Sequence, residues 1–364
     1  MTGLSRAAIR RLRSGLVPSW EFEFLSVGYD DVRRAVESSL GELKQSGRAE
    51  PLFVRGEWGT GKSHLLSFIQ ATAAKSGFAS AMVELNARSA APSHPQRFFP
   101  VLAEAMRVGT CGGLRAAVIE LLHRTETRRA LREFAETSRA ADLGRAITSL
   151  CREYELGNRL ELSNHPAWRQ LYGADLCWSD SPSKRERALA RIEAVACLFR
   201  AVGLNGLVLV LDEAETIDQL WNVRSRSCAY GVLERVCRME ATWCVLSTTM
   251  RFDRTVARDL DDAITTNSLA REFLATWRRG ERRTVEPPTV DARNAQDLAA
   301  AIQLLYESAF AQVPDSESAV ERCLSSWARN PSRNPRRLIR LLVDELDCRR
   351  PLLDVGECAH ATRG

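Results

Sequence analysis

The stretch GEWGTGKS, residues 56–63, decides the fold of this chain. It matches the phosphate-loop pattern G-x-x-x-x-G-K-[ST] without a departure. The apolar run Leu52–Val54 precedes it, and apolar residues recur at helical spacing from Ser63 to about Lys75. Lysine is rare in this arginine-rich chain, so a lysine inside the glycine loop adds weight to the motif. The sequence therefore predicts a strand, a phosphate-binding loop and a helix in that order.

This arrangement has a chemical reason. Glycines let backbone N–H groups turn inward around phosphate oxygens, and the start of the following helix adds its positive dipole. Lys62 is expected to reach the β- and γ-phosphates, and the Ser63 hydroxyl to coordinate Mg²⁺. The sequence thus predicts binding of ATP with Mg²⁺. The residues expected to contact the nucleotide here are Gly56, Glu57, Trp58, Gly59, Thr60, Gly61, Lys62, Ser63 and His64.

A second motif follows the uninterrupted apolar run Leu207–Leu211, which is typical of a parallel strand buried on both faces. The run ends in Asp212 and Glu213, and a carboxylate at this end of a strand faces the crevice where nucleotides bind. We expect Asp212 to hold Mg²⁺ and Glu213 to orient and activate the attacking water. The alternative is a pair of solvated acids.

Two weaker motifs lie further along the chain. Thr248, in the run Ser-Thr-Thr that follows the predicted strand at 243–247, is our choice for a hydroxyl near the γ-phosphate. An ordinary strand-ending threonine explains the same pattern. Arg336 stands near the start of a predicted helix, where the helix dipole disfavours a cation, so an anionic partner such as phosphate is one explanation. A solvated basic face is the other.

The remaining pattern predicts an α/β fold with two domains. Residues 1–286 form the nucleotide-binding core, which includes an N-terminal amphipathic helix that stops at Pro18 and an inserted helical segment at about 87–205. Residues 287–364 form an all-α domain, with helices expected at about 294–310, 316–328 and 335–346.

Composition limits the function classes. The 45% hydrophobic content is that of a globular protein, and the net charge of +5 permits contact with nucleic acid without requiring it. The ten cysteines show no C-x-x-C pair and no histidines at zinc-ligand spacing, so buried reduced thiols are expected. The chain shows no apolar segment long enough to span a membrane and no secretory signal, so we expect a cytoplasmic protein without a membrane partner.

These motifs together resemble an AAA+ ATPase: a P-loop parallel sheet with a large helical insertion and a C-terminal all-α lid. More narrowly, the strings AIRRLRSGLVP, SVGYDD, FVRGEWGTGKSHLLSFI, LVLVLDEAETIDQL and TWCVLSTTMRF resemble the ATP-binding proteins of BREX-type phage-defence systems. The resemblance implies that Val27 and Gly28 lie against the adenine, that Thr248 is a first sensor and that Arg336 reaches the γ-phosphate as a second. It also implies a polar switch, for which Asn86 is the candidate.

The resemblance further implies an arginine finger from a neighbouring subunit of a homo-oligomer. Its candidates are Arg251, Arg254 and Arg258, and the sequence does not choose among them.

The favoured function is an ATP-driven switch or motor in a multi-protein defence system. One alternative is a nucleotide-gated DNA-binding or DNA-loading protein, suggested by the arginine pairs at 278–279 and 282–283. Another is a signalling scaffold that binds ATP and turns it over slowly. The sequence leaves open the partner proteins, the number of subunits, the form of any DNA and the role of the insertion.

Overall fold

The fold was analysed in a computed structural model that describes residues 2–16, 23–157, 159–173, 182–220, 222–261, 267–310, 313–330 and 334–350. The chain divides into two compact units. The sheet unit comprises residues 31–57 and 69–286. The helical unit comprises residues 1–30, 58–68 and 287–364.

The sheet unit is built on a seven-stranded sheet in the order β4-β3-β2-β5-β6-β1-β7. Every residue of β5 and β6 is buried, as expected for strands in the middle of a parallel sheet covered on both faces. The strands are β1 Leu52–Arg55, β2 Ala79–Glu84, β3 Met106–Val108, β4 Cys111–Gly112, β5 Leu207–Asp212, β6 Thr242–Thr248 and β7 Thr284–Val285. The predicted strands at residues 52–54, 207–211 and 243–247 are therefore confirmed.

The order of the strands positions the two sequence motifs. β6 pairs in parallel with β5 on one side and with β1 on the other. Parallel strands end at the same edge of the sheet, so the carboxyl end of β6 lies between the end of β5 and the start of the glycine loop. In register, Thr248 pairs with Arg55 and Leu246 with Leu211.

The sheet is not parallel throughout, which the sequence analysis missed. β3 pairs antiparallel with β2, and β4 pairs antiparallel with β3, at one edge of the sheet. Both strands lie inside the segment that was predicted to be helical. They are three and two residues long, too short for an alternating pattern to reveal them.

Helices surround the sheet. In the sheet unit they are α2 Asp30–Ser46, α4 Pro95–Ala105, α5 Leu114–His123, α6 Thr125–Thr137, α7 Ala141–Glu155, α8 Arg159–Asn164, α9 Ala167–Leu171, α10 Pro182–Ala201, the 3₁₀ turn Ala214–Gln219, α11 Val223–Cys237, α12 Met250–Asp261 and α13 Ser268–Arg278. The helix that follows the glycine loop, α3 Lys62–Lys75, begins in the helical unit and ends in the sheet unit. Helices α4 to α10 lie in the interval between β2 and β5, together with the short strands β3 and β4.

The helical unit has its own core. It contains α1 Thr2–Arg13, α14 Ala292–Phe310, α15 Ser316–Ala328 and α16 Pro335–Arg349. Ile9 of α1 packs in one apolar cluster with Ile302 of α14 and Leu342 of α16, and all three are almost fully buried. The three C-terminal helices confirm the predicted ones to within a few residues. α1 is confirmed as a helix, but Pro18, where it was expected to stop, lies outside the described residues.

Candidate nucleotide site

In the sheet unit, the end of β5 carries the two predicted acids. Asp212 is the last residue of β5 and its side chain is mostly buried. Its Oδ1 accepts a hydrogen bond from the backbone N–H of Glu213 at 2.9 Å and a second, from the hydroxyl of Ser247 on β6. The Ser247 hydroxyl in turn accepts a hydrogen bond from Glu213 N–H at 2.9 Å. Ser247 therefore fixes the orientation of the Asp212 carboxylate.

Glu213 itself has an unusual backbone. Its φ of 59° and ψ of 47° place it in the left-handed region, which costs a residue with a Cβ roughly 1–2 kcal/mol. The turn is held because the Glu213 carbonyl accepts hydrogen bonds from the N–H of Thr216 at 3.0 Å and from its hydroxyl at 2.6 Å. Strain of this kind persists where the surroundings enforce it, and it is concentrated at functional sites.

The end of β6 carries two buried hydroxyls. The side-chain oxygens of Thr248 and Thr249 are buried and have no hydrogen-bond partner among the described residues. A buried hydroxyl without a partner costs free energy unless a ligand or water satisfies it. The Thr248 carbonyl accepts a hydrogen bond from Gly56 N–H at 3.1 Å, at the first glycine of the loop. These hydroxyls are suited to a phosphate ligand with its bound water.

The first residues of the glycine loop are tied to the same end of the sheet. Glu57 is exposed, and its carboxylate accepts a hydrogen bond from the backbone N–H of Met250 at 3.3 Å, at the first residue of α12. Helix N-termini favour such a carboxylate. Glu57 therefore caps α12.

Two of the three predicted finger arginines are engaged within the chain. Asp218 binds Arg251 at 2.6 Å and Arg258 at 3.1 Å. Arg258 also binds the buried Asp259 at 3.3 Å. The two arginines outweigh the effect of burial and lower the pKa of Asp218. Arg254 is exposed, and its side chain has no ion pair or hydrogen bond to the described residues.

In the helical unit, the rest of the glycine loop has the backbone that only glycine adopts readily. Gly59 has a φ of +83° and Gly61 a φ of +103°. Lys62, the first residue of α3, is mostly buried, and its Nζ lies 5.8 Å from the centre of the Trp58 ring. The Trp58 indole is exposed to solvent and lies beside the Lys62 ammonium group. Thr60 is half-buried and Ser63 is exposed.

His64 is held in a largely apolar setting. It shares a 3.0 Å hydrogen bond with the hydroxyl of Ser26 and meets the ring of Tyr29 edge-on at 5.4 Å. Tyr29 also packs edge-on against Phe68 at 5.2 Å. Burial lowers the pKa of His64 to about 4 and raises the pKa of Tyr29. His64 is therefore neutral at physiological pH and contributes shape and a hydrogen bond, without a charge.

Gly28 approaches another element closely. Val27 is half-buried against the core of the helical unit, and Gly28 is exposed with a φ of +78°. A Cβ on Gly28 would lie 2.7 Å from the amide nitrogen of Asn294, in the first turn of α14. The Asn294 carboxamide is thus held beside the segment at which the adenine was expected, and it could hydrogen-bond a base.

The start of α16 approaches the glycine loop within the same unit. A Cβ on Gly59 would collide with the amide nitrogen of Asn334. The Asn334 side-chain oxygen accepts a hydrogen bond from Arg336 N–H at 2.9 Å and so caps the helix. The guanidinium of Arg336 donates to the carbonyl of Gly15 at 3.0 Å. Its predicted reach to the γ-phosphate remains a prediction.

Sequence reasoning missed three residues around these positions. Ser247 was passed over for Thr248, and only its alignment with Asp212 across two strands reveals its contact. Asn334 is the N-cap of α16, which the sequence indicates only as a cap, and Asn294 is the third residue of α14, a position without a sequence signal of its own. Asn86, by contrast, was predicted as a polar switch, and its side-chain oxygen is engaged by the backbone N–H groups of Arg88 and Ser89 at 2.9 and 2.8 Å.

The arginine pairs that suggested DNA binding are largely engaged inside the sheet unit. Arg282 binds the buried Glu234 and lies over the Phe273 ring at 5.3 Å. Arg283 donates to the Ser39 hydroxyl at 2.9 Å, and Arg279 pairs with Glu281. These pairs therefore give little support to a DNA-binding surface.

The described part of the chain contains no group of three or more histidine, cysteine or acidic side chains that could hold a metal ion. It also contains no helix that combines the length and apolarity needed to cross a bilayer.

Comparison with known proteins identifies the family. No curated protein matches the chain at a significant level. The model of the family described as "BREX system ATP-binding protein BrxC/D" matches residues 3–111 and 183–350, which is well over half of the chain. These ranges include the glycine loop, the acids at the end of β5, the hydroxyls at the end of β6 and the helices of the helical unit. The chain therefore belongs to the family of BREX system ATP-binding proteins BrxC/D.

Proposed function

We propose that this chain hydrolyses ATP with Mg²⁺ and acts as a switch or motor in a multi-protein BREX system. The observation that carries the proposal is the strained Glu213, which directly follows the buried, hydrogen-bonded Asp212 at the end of β5. Binding of ATP alone gives no reason to keep a left-handed glutamate there, whereas activation of a water molecule does.

The hard oxygen donors of Ser63 and Asp212 suit Mg²⁺. Mg²⁺ held by these residues would supply positive charge that offsets the charge of the phosphates. Asp212 is kept in one orientation by Ser247, and Glu213 accepts a proton from the attacking water and orients that water. The Thr248 hydroxyl, which has no partner among the described residues, donates to the γ-phosphate or to the water.

The glycine loop supplies the phosphate contacts. Backbone N–H groups of residues 56–63 surround the phosphates, and Lys62 provides the flexible positive charge. Val27 and Gly28 lie against the adenine, with Asn294 as a hydrogen-bonding side chain beside them. Arg336 exchanges its contact with the Gly15 carbonyl for the γ-phosphate when ATP is bound.

The order of β2, β5, β6, β1 and β7 in the sheet and the all-α helical unit support an AAA+-type ATPase. Such an ATPase acts as a homo-oligomer, in which an arginine of one copy reaches the nucleotide of the next. Because Asp218 engages Arg251 and Arg258, Arg254 is the favoured candidate for that arginine. The other proteins of the BREX system are the expected partners.

Lys62→Ala tests the site, since it removes the flexible charge of the glycine loop and leaves the backbone able to fold. We expect ATP affinity measured by calorimetry to fall by at least tenfold, which corresponds to about 1.4 kcal/mol. Lys75→Ala, at the exposed end of the same helix, is the matched control and should keep wild-type affinity. Wild-type affinity in the Lys62 variant would refute the site.

A further inference from the structure

The helical unit contains a basic cleft that the proposed ATP site does not use. It has a volume of about 560 Å³ and is lined by Arg6, Arg10, Arg13, Phe310, Asp347 and Arg350. We call these six residues the arginine cleft. Four guanidinium groups thus face one carboxylate among the described residues that line it.

The single carboxylate is already saturated. Arg13 donates to both oxygens of Asp347, at 2.8 Å each, in the bidentate geometry that arginine forms with carboxylates. The hydroxyl of Tyr306 donates to the same carboxylate at 2.6 Å. Asp347 therefore compensates Arg13 and leaves the charges of the other three arginines without a carboxylate in the cleft.

The other three arginines are not paired with a carboxylate among the described residues, and contacts fix the positions of two of them, Arg6 and Arg350. Arg6 donates to the carbonyl of Ala309 at 2.9 Å and lies over the Phe310 ring at 5.6 Å. Arg350 lies over the same ring at 4.6 Å. The Arg10 guanidinium has no hydrogen bond or ion pair to any described residue, and only the Arg10 backbone carbonyl is engaged, by Ser14. Like charges held together in one cleft repel, and a bound anion removes that repulsion.

The arginines that α1 contributes to the cleft lie in a row along the helix axis. Arg6, Arg10 and Arg13 are spaced by four and three residues, so they share one face of the helix. At a rise of about 1.5 Å per residue, that face extends for roughly 10 Å. Arg13 is paired with Asp347, so the uncompensated cations on this face are Arg6 and Arg10, about 6 Å apart along the helix axis, a spacing that fits neighbouring phosphates of one backbone.

The cleft recognises phosphate and offers nothing to a base. The Phe310 ring is contacted by both Arg6 and Arg350, so it does not provide the free aromatic face on which single-stranded bases stack. Duplex nucleic acid needs no such face, because it presents about one charge per 1.7 Å of its axis and is bound through its phosphates. We propose that the arginine cleft binds the phosphate backbone of duplex DNA without sequence preference.

The test is fluorescence anisotropy of the full chain with a labelled duplex between 50 and 200 mM salt. Arg10→Ala should weaken binding and reduce the slope of log affinity against log salt by about 0.9, the value for one lost phosphate contact. Arg11→Ala is the matched control, because Arg11 is exposed on the same helix and does not line the cleft. Arg10→Lys keeps the charge and should keep the slope.

Thermal unfolding separates a binding role from a structural one. The Arg10 side chain has no hydrogen bond or ion pair to the described residues, and its favourable place in the last turn of α1 is opposed by the neighbouring arginines, so Arg10→Ala should unfold close to the wild-type temperature. Lower stability would assign Arg10 to the fold and overturn the proposal.

Several binding outcomes would also overturn it. These are equal losses in the Arg10 and Arg11 variants, tighter binding of a single strand than of a duplex, and tighter binding of a polyglutamate peptide. If inorganic phosphate at the same phosphate concentration displaces the duplex fully, the cleft binds single anions and not a nucleic-acid backbone, and the proposal is wrong.

Discussion

Glu213 combines two properties that oppose each other. Its backbone is left-handed, which lowers the stability of the fold, and its side chain is a carboxylate that can accept a proton. Glycine would fit the backbone better but would bring no chemistry. A glutamate at this position therefore lowers the stability of the fold, and the proposed activity is the reason to have it there.

This conflict predicts a difference between two substitutions. Glu213→Gly and Glu213→Ala should both abolish ATP hydrolysis, since neither can accept a proton. The glycine variant should be more stable than the alanine variant by about 1 kcal/mol, because only glycine adopts this backbone without strain. In thermal unfolding that difference is roughly 2–4 °C. Equal unfolding temperatures would mean that the left-handed backbone carries no strain.

The two acids should be separable by their roles. Glu213→Gln should keep ATP affinity while hydrolysis falls on the order of a hundredfold to ten-thousandfold, since the amide cannot accept the proton of the water. Asp212→Asn should instead weaken Mg²⁺ binding, so ATP affinity and rate fall together and excess Mg²⁺ partly restores both. ATP affinity and single-turnover hydrolysis across a magnesium titration give the comparison. Equal rescue of both variants by magnesium would contradict the assignment.

At the scale of elements, the hydrophobic pattern of the sequence predicted the strands and helices whose residues are buried in the core. β5 and β6 are buried on both faces and were visible as apolar runs, and α14 to α16 were visible from their 3.6-residue period. β3 and β4 were missed because two or three residues at a sheet edge carry no period. Local pattern therefore predicted the middle of the sheet and failed at one edge of it.

The candidate site divides in the same way. The glycine loop and the acids are contiguous in sequence, so their residue types alone indicated the chemistry. Ser247 could not be chosen over Thr248, because its contact with Asp212 depends on which strands are neighbours and in which register. Asn334 was missed, since its approach to Gly59 joins residues that are far apart in sequence.

The cap of α16 gives a prediction for an element. Asn334→Ala removes the hydrogen bond to Arg336 N–H and should lower stability by about 1 kcal/mol. If this helix start also positions Arg336 and the glycine loop for ATP, then ATP affinity should fall as well. Asn267 is the matched control: it caps α13 through Leu269 N–H at 3.0 Å, and its amide also abuts a glycine, Gly231. Asn267→Ala should cost similar stability and leave ATP affinity unchanged, so equal affinities in both variants would remove α16 from the site.

At the scale of the whole molecule, residues 112–182 stand apart from the family match. The helices that they form are nevertheless continuous with the core of the sheet unit. Leu114, Ile147 and Leu171 belong to the same buried cluster as residues of β2 and β5. A segment that shares its core with the sheet cannot be removed without exposing apolar surface. We infer that it is an integral part of this fold.

One ion pair gives a test of that inference. Arg191 of α10 is fully buried and binds Asp142 of α7, and it also donates to the carbonyl of Gln170. Burial alone would raise the pKa of Asp142, but its hydrogen bond with Arg191 and the charge of Arg191 outweigh burial and lower it. The pair therefore stabilises the fold above the ordinary pKa of aspartate, and this contribution is lost as the pH falls below it.

Asp142→Ala should leave a buried guanidinium without its counter-charge, which typically costs about 3–5 kcal/mol. Because Asp142 keeps some exposure, we expect the lower end of that range and a drop in unfolding temperature of roughly 6–12 °C. Arg132→Ala breaks an exposed pair with Glu155 in the same segment and should cost at most about 1 kcal/mol. The double variant Asp142→Ala with Arg191→Met should recover much of the loss, since it removes the buried charge as well. If Asp142→Ala is no more destabilising than Arg132→Ala, the pair does not couple the segment to the fold, and residues 112–182 behave as an appended module whose loss the ATP-binding core would tolerate.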